Sequence, residues 1–197
     1  MKLARFRKYL RNKTINQGLF IAGIMALWEL LARTEWFPPL LFPSLSSILV
    51  NLVTEITSGE ILRMISFSLY LVGVGLGLAI FTAAIIAALA MISPVISDWV
   101  QALMAILHPL PGIAVLPIII LWLGTGAQSI IAVIWFSAVW PLIANLHTGL
   151  RSVSATQIEV GKNLGLRGIA LVRFVLLPGA FPYILTGLRI GWARAWQ

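Results

Sequence analysis

The chain has 197 residues, 60% of them hydrophobic and 10% charged, with a mean hydropathy of +0.99; so few charges cannot cover so much apolar surface in water, which excludes a soluble domain. The apolar runs are about twenty residues long and unbroken by charge, which excludes a membrane β-barrel and leaves an all-α integral membrane protein. The formal net charge is +8, but ten of the fourteen Lys and Arg lie in two short segments with no base-stacking aromatics among them, so membrane topology rather than nucleic acid accounts for the charge.

Residues 1–14 form the first basic segment, with Lys2, Arg5, Arg7, Lys8, Arg11 and Lys13. The excess of positive charge places it in the cytoplasm. Residues 15–197 read as one transmembrane domain. A first span is expected over about 17–32, uncleaved because no small-x-small site follows it. Glu29 stands four residues before Arg33, a helical ion-pair spacing. The proline-rich outer segment that follows is expected to hold a short helix starting after Pro43-Ser44. A second span covers about 66–91. Gly73 and Gly77 form one small-residue row in it, and Gly75, Ala79, Ala83 and Ala87 form another, the kind of strip against which a second helix packs closely.

A third span is expected over about 100–123. It carries His108, Pro109, Pro111 and Pro117. Prolines free backbone carbonyls, and in lipid those carbonyls need protein or water nearby, so this span is a candidate to line a solute path. The turn Gly124-Thr125-Gly126 leads to a fourth span over about 127–148, whose polar residues Asn145 and His147 cluster at its inner end. Both read more readily as interhelical hydrogen-bonders or interface residues than as ligands, and Asn145 also joins the path candidates.

The segment 150–178 is polar, basic and cytoplasmic by the same charge rule. Ser154-Ala155-Thr156-Gln157 and Thr156-Gln157-Ile158-Glu159 are both capping boxes, and either starts a helix. Gly165 ends that helix in the left-handed conformation. Gly168 to Leu177 then reads as a second helix that Pro178 closes, with Pro178 also placed to open the next helix. This loop resembles the EAA loop of the membrane subunits of ATP-binding-cassette importers, whose pattern is Glu-Ala-Ala, a glycine four residues on, then aliphatic-x-Leu-Pro. Glu159, Gly165, Val175, Leu177 and Pro178 fall in register, and Val160-Gly161 stands for the two alanines. Trp28-Glu29, Leu41-Phe42-Pro43-Ser44, the run from His108 to Pro117 and Leu121 to Gly126 are similar to the nitrate/sulfonate/taurine branch. Leu45 and Leu123 depart from that branch, which has proline and phenylalanine there.

The resemblance implies a type I importer permease of about six spans, each needing about twenty apolar residues. Against that pattern the chain reads as four full spans and an incomplete fifth over 179–197, as if truncated. It implies a permease subunit in the bacterial inner membrane. Its partners would be a second copy in a homodimer, two cytoplasmic ATPase subunits and an extracytoplasmic solute-binding protein. ATP and magnesium would sit on the ATPase, consistent with the lack of a phosphate-binding loop here. The cargo would be a small anion such as a sulfonate, taurine or nitrate. Arg189 either faces the path and meets that anion or stays at the inner interface, because an arginine at mid-bilayer costs at least about 2.5 kcal/mol.

The residues themselves offer no catalytic set. There is no cysteine, which excludes thiolate and cysteine–zinc chemistry, and two histidines alone do not build a metal site. The alternative is a self-contained proton-coupled carrier or membrane enzyme built on His108.

Overall fold

In lipid the backbone has only its own groups to bond, so continuous apolar runs fold as helices. A computed structural model describes residues 13–34 and 36–197, and every regular element among them is helical. The basic residues Lys2, Arg5, Arg7, Lys8 and Arg11 lie outside the described residues. The chain forms two compact units that divide between Ile65 and Ser66.

The first unit holds α1, Lys13–Arg33, and α2, Leu45–Thr57. The end of α1 is bonded to the start of α2. Glu29 Oε1 accepts from Arg33 Nε at 2.8 Å and from Ser46 Oγ at 2.8 Å, and its Oε2 accepts from Ser46 N at 3.2 Å. The carboxylate thus serves the open amides of the first turn of α2, where negative charge is favoured. Trp28 stacks on Phe42 with ring centres 5.3 Å apart, and its Nε1 donates to Pro43 O at 3.0 Å.

The element α3, Glu60–Ile92, leads into the second unit. There follow α4, Pro94–Leu107; α5, Gly112–Leu123; and α6, Ala127–Ser152. The single third span expected over 100–123 is instead α4 and α5, bent by 101°. Pro109 and Pro111 both lack an amide donor, and Pro111 sits extended at ψ 133°, so helical bonding stops between Leu107 and Gly112. Pro117 is carried inside α5 without ending it.

After α6 come α7, Ala155–Asn163, and α8, Ile169–Leu171, then a π turn, Val172–Leu176, and α9, Leu177–Ala195. Pro178 stands in the first turn of α9, where the sequence allows it to open a helix, but it does not close the run before it. Leu177 N bonds Val172 O, five residues back, and this widened turn lets the helix run past a proline. Ile169–Ala195 is therefore one helical run of 27 residues, about 40 Å long. By length and composition it can cross a membrane, as can Thr14–Arg33, Glu60–Ile92 and Ala127–Ser152. The helix that contains the fifth span expected over 179–197 begins ten residues earlier, within the segment read as loop.

The core of the second unit is built from small residues. Ala79, Ala83 and Ala90 of α3 pack with Ala138, Val139, Leu142 and Ile143 of α6 and Val100 of α4. The row containing Gly75 faces inward, while Gly73 and Gly77 face open space. Helix α9 lies just as close on α6: a Cβ at Gly187 would stand 2.9 Å from that of Asn145, and one at Gly149 would stand 2.6 Å from that of Tyr183.

Candidate functional site

The loop helix α7 is fixed at both ends by its own sequence. Ser154 is the N-cap, with its Oγ accepting from Gln157 N at 3.3 Å while Gln157 Oε1 accepts from Ser154 N at 3.2 Å. Of the two capping boxes, this one is used. Val153 before it is buried and shares an apolar cluster with Ile158, so a hydrophobic staple sets the entry angle and leaves Thr156 inside the helix. At the other end Gly165 has φ +84°. Gly165 N bonds Lys162 O and Leu166 N bonds Gly161 O, each at 3.0 Å. That pair of bonds is a Schellman turn, which satisfies the last carbonyls of the helix.

Leu166 then folds back over Gly161. The π turn comes down on the same glycine: a Cβ there would stand 2.8 Å from Val175 Cγ2 and 2.9 Å from Leu171 Cδ1. Between α7 and the following helix lies an open groove of about 500 Å³, lined by Val160, Gly161, Leu164, Phe174, Val175 and Pro178 among others. Four of the seven residues expected in the loop site thus share one groove. Leu177 lies beside it with Arg173, Pro178 and Phe181. Glu159 is exposed next to Val160 and forms no ion pair among the described residues, and Gly165 makes the turn. Lys162, Arg167 and Arg173 are exposed around it. The groove has a largely apolar floor and a charged rim, and no group of metal-ligating side chains occurs among the described residues.

The path candidates are dispersed by comparison. His108 caps the end of α4, half-buried at the bend, with Pro109 and Pro111 exposed beside it and Pro117 exposed on α5. Asn145 lies between α6 and α9, where its Nδ2 donates to Pro141 O at 2.8 Å. Arg189 is exposed, two residues past Gly187 and so just over half a turn from the face that α9 presents to α6.

A third cluster bears out the reading of His147 as an interhelical hydrogen-bonder, though the sequence did not name its partners. Ser97 is fully buried in the first turns of α4, and its Oγ lies 3.0 Å from His147 Nε2, 3.2 Å from Gln101 Nε2 and 3.1 Å from Arg151 Nη2. The available signal was spacing: Ser97 and Gln101 are four apart on one helix, and His147 and Arg151 four apart on the other.

Comparison with known proteins bears on these features. Residues 75–197 match the family described as binding-protein-dependent transport system inner membrane component. The chain is similar to the taurine transport system permease protein TauC of Escherichia coli (strain K12), at 27% identity over 95% of this chain and 70% of that protein. It is similar to the putative aliphatic sulfonates transport permease protein SsuC of Bacillus subtilis (strain 168), at 30% identity over 91% of this chain and 66% of that protein. A shorter match joins it to the glycine betaine/carnitine/choline transport system permease protein OpuCB of the same bacterium, at 36% identity over 45% of this chain and 43% of that protein. The chain spans about two thirds of the length of the first two relatives.

Proposed function

The chain belongs to the binding-protein-dependent transport system inner membrane component family, and on that footing we propose that it is the membrane-spanning subunit of an ATP-driven importer for a small sulfonate-, taurine- or nitrate-like anion. It is a multi-pass membrane protein of a transport system. Two relatives that align along most of the chain are named for taurine and for aliphatic sulfonates, which supports the substrate class.

The observation that carries the reading is the groove beside α7. A helix clamped between a capping box and a Schellman turn holds its shape when pushed, and the apolar floor beside it suits a docked segment. In this proposal α7 and Glu159 seat against a cytoplasmic ATPase subunit. Two permease copies form the path, two ATPase subunits bind ATP and magnesium, and an extracytoplasmic binding protein delivers the solute. Closure of the ATPases moves α7 and switches the side to which the path opens. His108, Pro109, Pro111, Pro117, Asn145 and Arg189 remain the path candidates, and residues 1–14 and the 150–178 loop face the cytoplasm.

The test uses the complete permease with its ATPase in vesicles, supplied with the solute-binding protein and taurine. Glu159→Lys places a cation in the docking face, and Gly165→Ile puts a β-branched residue at a left-handed backbone. Both variants are expected to insert normally and to lose ATP-driven uptake. Wild-type flux in both would overturn the docking role of the loop.

A further inference from the structure

Ser97 Oγ is a bonding hub whose connections can be counted. A serine hydroxyl has one proton to give and two lone pairs to offer. The Gln101 amide nitrogen and the Arg151 guanidinium are donors only, and they take both lone pairs. The hydroxyl proton therefore goes to His147 Nε2, which must be the unprotonated ring nitrogen. All the bonding capacity of the hydroxyl is used, inside a site with no water access at Ser97.

The arrangement also fixes orientation. Ser97 and Gln101 lie one turn apart on α4, and His147 and Arg151 lie one turn apart on α6, so two helix faces are held at a defined rotation as well as a defined distance. Apolar contacts slide, whereas directional hydrogen bonds do not. The buried residues of α4 are Ser97 and Val100, so this hub is a large part of what anchors the helix. Its two ends lead to the mobile parts of the proposed mechanism. Three residues after Arg151 stands Ser154, the N-cap of α7. At the far end of α4 stands the bend through His108 and Pro111.

Resting on the importer reading, we propose that Ser97, His147 and Arg151 form a positioning clasp through which displacement of α7 is passed to the bent pair α4–α5. The clasp touches neither solute nor ATP. Its effect is on the tightness with which ATP hydrolysis and solute movement are linked.

The experiment compares His147→Leu, which fills the space but removes the acceptor, with His147→Gln, which keeps an acceptor at similar reach. The complete permease is assembled with its ATPase in proteoliposomes supplied with the solute-binding protein and taurine, and taurine uptake per ATP hydrolysed is measured alongside the yield of complex. His147→Leu is expected to assemble and hydrolyse ATP while uptake per ATP falls about tenfold, a normal size for a coupling term. His147→Gln is expected to stay close to wild type. If His147→Leu fails to insert, Ser97→Ala gives the same readout from the other helix. Equal coupling in the Leu and wild-type proteins overturns the clasp, as does a Gln variant as defective as the Leu variant. A wild-type complex with no ATP-driven uptake overturns the importer reading itself, and the clasp with it.

Discussion

Two glycines in the α7 loop are required for different reasons, and they separate cleanly by experiment. Gly165 has open space around it but a backbone at φ +84°; Gly161 has an ordinary helical backbone but no room. A Cβ at Gly161 would stand 2.8 Å from Val175 Cγ2 and 2.9 Å from Leu171 Cδ1, so alanine requires a shift at both, absorbed most easily at the end of Leu171. Leucine there overpacks the contact at a cost of about 1–3 kcal/mol and pries α7 from the π turn. Gly161→Ala is therefore expected to co-purify with the ATPase as wild type does, and Gly161→Leu to lose that association while still inserting. Undiminished co-purification of the leucine variant would show that the groove is not a docking surface. Sequence reading found that position 161 must be small, because the loop pattern places alanine there. It did not find the cause, which is a tertiary contact from residues ten and fourteen positions further on. The Ser97 hub was hidden for the same reason: its partners lie fifty and fifty-four residues away.

Helix α7 is nine residues long, too short to be stable alone, so its caps matter more than its propensity. Ser154→Ala removes the Oγ that accepts from Gln157 N, while the backbone bond from position 154 to Gln157 Oε1 can persist, and is expected to cost about 1 kcal/mol, which speeds amide exchange in the first turn of α7 roughly fivefold. Exchange in the middle of α6 should not change. An unaltered α7 would mean that the Val153–Ile158 staple holds the start of the helix unaided. At this scale the sequence announced most elements through their end signals. It could not choose between the two capping boxes, because burial of Val153 decides the matter. It read three prolines as kinks in one span, yet two of them part the helices by 101°. Pro178 opens α9 as the sequence allows, but the π turn joins that helix to the run before it, a local rearrangement that composition does not signal.

For the whole molecule, hydropathy made the membrane class plain and charge bias supplied an orientation. The four helices of crossing length match three of the expected spans, and the fourth is Ile169–Ala195. The orientation is testable without background, since the chain has no cysteine of its own. A single cysteine placed at Lys162 should react with an impermeant reagent only in inside-out vesicles, and one at Thr125 only in intact cells. Labelling of position 162 from outside intact cells would invert the proposed topology and separate the loop from any cytoplasmic ATPase. What hydropathy cannot supply is which faces meet. The inward turn of Gly75 and the outward turn of Gly77 follow from packing against Ile134, not from either glycine.

The bonded junction of α1 and α2 sets where this chain can be joined to a relative's. Trp28 stacks on Phe42 and Glu29 holds Ser46, so residues 28–46 form a unit of exchange. A hybrid spliced between Arg33 and Leu41 inherits half of each pair from each parent and leaves a carboxylate without the hydroxyl it was matched to. A splice at Gly59, where the backbone turns at φ +77° between α2 and α3, transfers both pairs whole.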